Sequence, residues 1–440
     1  RDRLRSRGLG DVYKRQGLWL IRKGQFAKAE PYLRQAVKTL TERNPNPYDG
    51  EPLYNLGLSL KYQGKTEEAY DFFYKACWNA AWQDAGYYSL AQLSVARGDW
   101  EEALYEIDKS LVRNWHNLRG RHLKATILRH LGRKEDALSL IEESLRMDRF
   151  NFGCGFEKFL LTGNDADWQT LVSLMRPEAH NYEELALDYA SAGCWEEALD
   201  VVDKVICMNV LGQTMLHYYK SWFLICLDRK EEALAAIREA ERQTPDCCFP
   251  NALEAILALQ AVIDFAEETP KALYYLGNLW YDKRQYPEAI AAWETSMKQD
   301  ATFPTVLRNL SLAYFNKLGK EEEAVRLLEK AFALDTTDAR ILMELDQLYK
   351  RLNRPHTERL AFLDKYKDVA FSRDDLYLEY LTLLNQLGRY EEAIHMIDDR
   401  QFHPWEGGEG KVPAQYQLAR VELVKRLLAE EKYTEALSPV

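Results

Sequence analysis

The sequence predicts an all-α chain built as a solenoid of antiparallel helix pairs, and three observations carry that expectation. Ten alanines recur at one helical phase, most of them closing a short acidic run: Ala29, Ala69, Ala103, Ala137, Ala198, Ala233, Ala289, Ala324, Ala393 and Ala436. The gaps from Ala69 to Ala103, Ala103 to Ala137, Ala198 to Ala233 and Ala289 to Ala324 are 34 or 35 residues. Apolar stripes of helical spacing flank each alanine, so one period holds two helices. One such pair cannot bury its apolar face without a neighbour.

Residues 50–83 show why the period nests. Leu53, Leu56, Gly57 and Leu60 form one helical stripe, Gly64 ends that helix, and a second helix offers Ala69, Phe73 and Ala76. Small residues at Gly57, Ala69 and Ala76 let the two axes approach, while Leu56, Leu60 and Phe73 fill the space around them. The arrangement returns with Tyr87, Leu90, Ala91, Gly98, Ala103, Ile107 and Ser110, and again with Ala125, Leu128, Gly132, Ala137, Ile141 and Ser144. Further units are read at 182–205, 217–240, 273–296, 307–331 and 377–397. The acidic pair before each alanine places negative charge at the start of the second helix. This period and pattern resemble the tetratricopeptide (TPR) repeat, which implies a right-handed superhelix with first helices lining a concave face.

The register is interrupted in several places. The TPR solenoid is read over 17–399, with residues 17–40 as a first unit that lacks its opening turn. Residues 44–52 are a proline-rich connector in which Asp49 is placed to cap the next helix. Residues 151–175 break the pattern and are expected to form shorter helices about Gly163 and Asn164. An extra helix is expected at 249–267, because Ala233 and Ala289 are 56 residues apart. Residues 348–370 form a degenerate unit in which the small-residue position is lost. A glycine-rich loop follows at 400–413, and 414–440 begins a further unit that stops short. Residues 1–16 (RDRLRSRGLGDVYKRQ) carry six basic and two acidic side chains and no helical stripe. The stretch DVYKRQ is similar to a translated transposase-end adapter. Residues 1–16 are therefore read as a sequencing artefact that does not fold, ahead of a chain cut at both ends.

Composition fits a globular chain: 47% hydrophobic and 29% charged, with net charge −11, which falls to −15 without the first sixteen residues. No apolar run reaches about 18 residues, so no membrane span is read. An acidic chain without a basic stripe argues against nucleic acid as a partner. The seven cysteines lack metal-ligand spacing and read as reduced core thiols, which fits a cytoplasmic protein. The sequence offers no cofactor, no metal set and no catalytic constellation.

On the first-helix face one position recurs as tyrosine, at Tyr54, Tyr88, Tyr218 and Tyr274, with Tyr62, His130, Trp222, Asn278, Tyr281 and Asn309 beside it in projection. Aromatic and amide groups suit an extended protein or peptide in the groove; packing between repeats is the competing reading. Asn278 and Asn309 have the separation used by chaperone-binding TPRs to hold a C-terminal carboxylate. Tyr274, Ala339 and Met343 stand where that mode needs cations, so the mode is not expected. The sequence FHPWEGGEGK at 402–411 is not repeat. It gathers His403, Trp405, Glu406, Glu409 and Lys411 around three glycines and is the best site candidate. It lacks the strand and spacing of a phosphate-binding loop.

The non-consensus stretches at 44–104, 332–354 and 372–411 resemble a largely bacterial family in which a galactose-mutarotase-like β-sandwich precedes a long TPR array. That resemblance covers most of 17–440. It implies a β-sandwich upstream and a carbohydrate-linked role. Two readings stay open: a non-catalytic scaffold for a protein partner, its own upstream domain or another copy; and the helical half of a carbohydrate-binding or carbohydrate-active protein. In the second, Trp405 would stack on a pyranose and Glu406 or Glu409 would hydrogen-bond or transfer protons.

Overall fold

The computed structural model describes residues 2–42, 44–45, 47, 49–245 and 248–437. Among them there is no strand, only an isolated bridge between Glu178 and Leu211. The chain is an α-solenoid of helix pairs. In order these are α1 (Asp2–Arg22) with α2 (Phe26–Thr41), α3 (Glu51–Tyr62) with α4 (Thr66–Ala76), α5 (Gln83–Arg97) with α6 (Trp100–Arg113), and α7 (Leu118–His130) with α8 (Lys134–Met147). Two short helices follow, α9 (Phe152–Thr162) and α10 (Asp165–Met175), then α11 (Ala179–Ser191) with α12 (Trp195–Ile206), and α13 (Thr214–Cys226) with α14 (Lys230–Arg242). A single helix, α15 (Leu253–Phe265), precedes α16 (Pro270–Asp282) and α17 (Tyr286–Gln299). The chain continues with α18 (Pro304–Ala313), α19 (Glu321–Leu334), α20 (Ala339–Arg351), α21 (His356–Lys365) and the short α22 (Lys367–Ala370). It closes with α23 (Asp374–Gln386), α24 (Tyr390–Asp398), α25 (Lys411–Ala429) and α26 (Tyr433–Ala436). Two compact units, Arg1–Ala292 and Trp293–Val440, divide the chain.

The ten alanines are the contact on which each pair is built: nine have 0% exposure and Ala436 has 4%. At Gly57 the approach is so close that an added Cβ would lie 2.8 Å from the Phe73 ring and 3.2 Å from the Ala69 carbonyl. The second helices α4, α6, α8, α12 and α14 have no side-chain N-cap, and each carries two acidic residues in its first turn instead. Those carboxylates face the free N–H groups and the positive end of the helix dipole. The residue that turns the chain between paired helices has positive φ: Gly24, Gly64, Gly98, Gly132, Gly193, Gly319 and Gly388 fill it, with φ from 64° to 81°. Asp228, Arg284, Asn353 and Glu431 adopt the same conformation, with φ of 54–60°.

One expectation is overturned. Residues 2–16 are not unfolded; they continue into Arg22 as one helix. Extending a helix that is already nucleated adds one hydrogen bond per residue fixed. Lys14 gains further support, with Nζ 3.2 Å from Asp49 and 2.8 Å from Glu51. Asp49 also accepts from the Glu51 backbone N–H at 2.9 Å. Cys77, Cys154, Cys194 and Cys248 are buried free thiols, whereas Cys207 and Cys226 are exposed, which departs from an all-core reading. Cys247 lies outside the described residues. No described helix is long and apolar enough to cross a membrane.

Two substitutions test this packing by urea unfolding followed by circular dichroism. Gly57→Val forces its branched side chain into Phe73 and lowers stability by about 2 kcal/mol. Arg284→Gly relieves a left-handed backbone and raises stability by about 1 kcal/mol.

Candidate functional site

The first-helix face is used differently in the two units. In the N-terminal unit it is covered by the unit's own helices. Leu253 and Leu257 of α15 pack against a core that includes Leu56, Leu60 and Phe73, alongside Tyr54 and Tyr62. Tyr62 donates to Glu254 of α15 at 2.7 Å, and Gln92 donates to Ser191 of α11 at 2.7 Å. Arg119 pairs with Glu184 and Asp188 at 2.9 and 3.3 Å. The cluster is dry enough to shift its charges. Burial lowers Lys61 to about 8 although Glu254 opposes this, and burial raises Asp188 to about 6 in spite of Arg119.

The recurring tyrosines follow from this arrangement. Tyr54 is half-buried, stacks on Trp82 with ring centroids 5.0 Å apart, and accepts from Ser89 at 3.4 Å. Tyr88 is half-buried beside Arg119 and Asp188 in a recess of about 10 Å³, smaller than a ligand needs. Tyr218 is fully buried and donates to Glu241 at 2.9 Å. Tyr274 is buried edge-on to Tyr275. Asn278 and Asn309 are half-buried in α16 and α18 respectively.

In the C-terminal unit the same face carries a cavity of about 360 Å³. Helix α20 contributes Gln347 and Lys350, and α23 contributes Asp375, Leu378, Glu379 and Thr382. Lys411, Ala414 and Gln415 of α25 complete the wall, and Trp405 reaches in from the loop that precedes α25. The positions 375, 378, 379 and 382 are one stripe of a helix, as are 411, 414 and 415, so regular helices suffice to align them.

The loop is built to hold Trp405 in place. Arg400 grips Asp374 through Nε and Nη2 at 2.8 and 2.5 Å and donates to the Phe371 carbonyl at 3.0 Å. Its guanidinium lies 4.1 Å over the Tyr377 ring, and the His403 backbone N–H donates to Asp374 at 2.8 Å. Gly407 and Gly410 turn the chain with φ of 76° and 70°. The indole lies against Gly408, where an added Cβ would sit 2.4 Å from Cε2 of Trp405. Trp405 is half-buried, while His403, Glu406, Glu409 and Lys411 are exposed. The structure thus brings Trp405 and Lys411 to one cavity and His403 to Asp374, and leaves Glu406 and Glu409 in solvent. The carboxylates on the cavity wall are Asp375 and Glu379, which the sequence reading did not single out. Among the described residues no group of three His, Cys, Asp or Glu side chains is placed to hold a metal ion.

The charges on the wall are held by neighbours. Burial raises the Glu379 carboxyl, but hydrogen bonds from Lys350 and Arg359 outweigh it and keep it below the usual carboxylate range. Burial of Asp375 is likewise outweighed by its pairing with Arg373 at 3.0 and 2.7 Å.

Comparison with family models agrees with the repeat geometry over one stretch of the chain. Residues 251–303 match the family model described as tetratricopeptide repeat. The chain is similar to the TPR repeat-containing protein YpiA of Bacillus subtilis, at 26% identity over 171 residues, which is 35% of this chain and 39% of that protein. The chain therefore spans well under half the length of the curated relative it matches. Among solved structures, a tetratricopeptide repeat protein from Parabacteroides merdae aligns at 15% identity over 70% of this chain and 99% of its own, with a TM-score of 0.31. MamA aligns at 14% identity over 42% of this chain and 94% of its own, TM-score 0.26. A structure of Naa15/Naa10 bound to HypK-THB aligns at 15% identity over 98% of this chain and 74% of its own, TM-score 0.27.

The loop anchor has a pH signature. Burial raises Asp374, yet the His403 N–H and Arg400 hold its carboxyl below the ordinary value. The stability it contributes is complete above about pH 4, the range in which an unfolded aspartate ionises, and is lost as pH falls through the lower folded value. Hydrogen exchange at 402–411 should therefore show constant protection from about pH 5 to 8 and loosening only in stronger acid; Asp374→Asn should show the loosened pattern at neutral pH.

Proposed function

We propose that the chain is a non-catalytic interaction scaffold that holds an extended segment of a partner protein against α20, α23 and α25, under Trp405. The observation that carries this is the contrast between the units. The first-helix face of the N-terminal unit is closed by α11 and α15, while that of the C-terminal unit keeps a cavity large enough for a few side chains. An aromatic ring, amides and lysines around one cavity suit the mixed apolar and hydrogen-bonding character of a peptide. The partner can be a separate protein, another copy of the chain, or the β-sandwich domain that the family resemblance places upstream.

A second reading has one observation in its favour. Trp405 shares the cavity with Asp375, Glu379, Gln347 and Gln415, a set that also suits a sugar ring stacked on an indole. On this reading the chain is the helical part of a carbohydrate-binding or carbohydrate-active protein, with binding at the wall carboxylates rather than at Glu406 or Glu409.

Displayed peptide and oligosaccharide collections distinguish the two. Selection on the immobilised chain should enrich peptides, and Trp405→Ala should weaken the selected peptides by about tenfold or more with the helical circular dichroism unchanged. Enrichment of glycans alone would replace the first reading by the second. Peptides that survive Trp405→Ala but are lost with Tyr54→Ala would move the site to the N-terminal unit.

A further inference from the structure

Counting on from Ala324, the alanine position of the next unit falls 35 residues later at Arg359, and the one after it 34 residues further at Ala393. Twelve or thirteen residues before this alanine the first helix carries a small residue in other units, at Gly57, Ala91, Ala125, Ala186, Ser221 and Ser311, whereas the unit of Ala393 has Leu381 there. Thirty-five residues after Ser311 the residue is Asp346. The two positions that bring small side chains together in those units therefore hold a carboxylate and a guanidinium, at 0% and 2% exposure. Arg359 Nε and Nη2 donate to the two Asp346 oxygens at 3.0 and 2.7 Å. A buried pair of this kind adds little net stability, because stripping water from both charges offsets their attraction. Its reach is more informative. The same Nη2 donates to Glu379 at 2.7 Å, and Glu379 receives Lys350 Nζ at 2.8 and 2.9 Å on its two oxygens. Glu379 and Lys350 both line the cavity beneath Trp405.

We propose that the Asp346–Arg359 pair is a positioning device for that cavity, fixing its Glu379–Lys350 wall so that the cavity takes a peptide segment bearing a carboxylate beside an apolar side chain. The inference rests on the peptide reading above and specifies its ligand. Both wall carboxylates already have cations, Asp375 from Arg373 and Glu379 from Arg359 and Lys350. Lys411 has no carboxylate partner among the described residues, so the charge left to answer is positive. Trp405 and Leu378 supply the apolar contact. The irregularity of this unit is then the means by which a repeat array acquires a site at one place along its length.

The double variant Asp346→Ser/Arg359→Ala restores the small contact that Ser311 and Ala324 make one unit earlier. The probes are three sets of short random peptides: free C-terminus without Asp or Glu, amidated with Asp and Glu, and amidated without them. The wild-type chain should bind one or both of the first two sets and not the third, and the set that binds identifies a terminal or a side-chain carboxylate. Lys411→Ala should abolish this preference. The double variant should keep its helical circular dichroism yet bind about tenfold or more weakly. Glu379→Gln, which leaves the buried pair in place, should weaken binding in the same direction. Equal binding by the double variant would show the pair to be structural only, and equal binding of the uncharged set would overturn the carboxylate ligand. If no set binds the wild-type chain, the peptide reading fails with its ligand. The positioning claim is still decided by carbon-13 titration of Glu379, whose midpoint should rise in the double variant; an unmoved midpoint would sink it.

Discussion

Close approach of paired helices through small side chains is the constraint from which the rest of this structure follows. At Gly57 not even a methyl group fits against Phe73 without displacement, and all ten phased alanines are buried. Once that contact is set, the turn between the helices has little freedom. It adopts a left-handed backbone in one unit after another, with glycine where the sequence supplies it and Asp228, Arg284, Asn353 or Glu431 where it does not. The acidic pairs then act locally on the second helix, answering N–H groups that no capping side chain reaches. Small contact, positive φ and acidic first turn are three parts of one unit, and stacking such units buries a core that no pair could bury alone.

Where the small contact is given up, something else must fill and neutralise the space. In α20 and α21 that is a guanidinium between two carboxylates, with Arg359 and Asp346 buried nearly as deeply as the alanines of the array. A hydrophobic filling of equal volume is often as stabilising as a buried ion pair, or more so. The charged solution instead reaches outward to the face where α23 and α25 present their stripes. The nearby loop is equally specific in construction, since Gly408 gives Trp405 a flat seat and Arg400 ties the loop's entry to Asp374. Irregular repeat and irregular loop meet at one cavity.

The N-terminal unit shows how the same residue types can be turned inward. Tyr62 and Gln92 point from first helices as groove residues would, yet their partners are Glu254 and Ser191 of the same unit. Tyr218 has no solvent contact at all. A recurring tyrosine on this face is therefore ambiguous in sequence: with an inserted helix such as α15 against it, it becomes core; without one, it would be surface. Trp405 and Lys411 were legible because three glycines and a proline interrupt a periodic pattern, and such interruptions stand out. Lys350, Asp375 and Glu379 were not, because charged residues on a helix resemble any other solvated face. Arg359 lay between these cases: its register against Ala324 and Ala393 marks it, but only once a large charged residue is entertained at a position read as small.

By itself the sequence determined the helix pairs, their phase and the small contact that joins them, because these depend on residues one turn or one period apart along the chain. It also determined that the stretch before α25 is not repeat. The tertiary structure decided which face of each unit meets solvent, which carboxylates stand beside Trp405, and that residues 2–16 join the first helix. Those outcomes depend on partners as far apart as the 192 residues between Tyr62 and Glu254. Such distant meetings follow from the rotation accumulated over many repeats, a sum that no single repeat encodes.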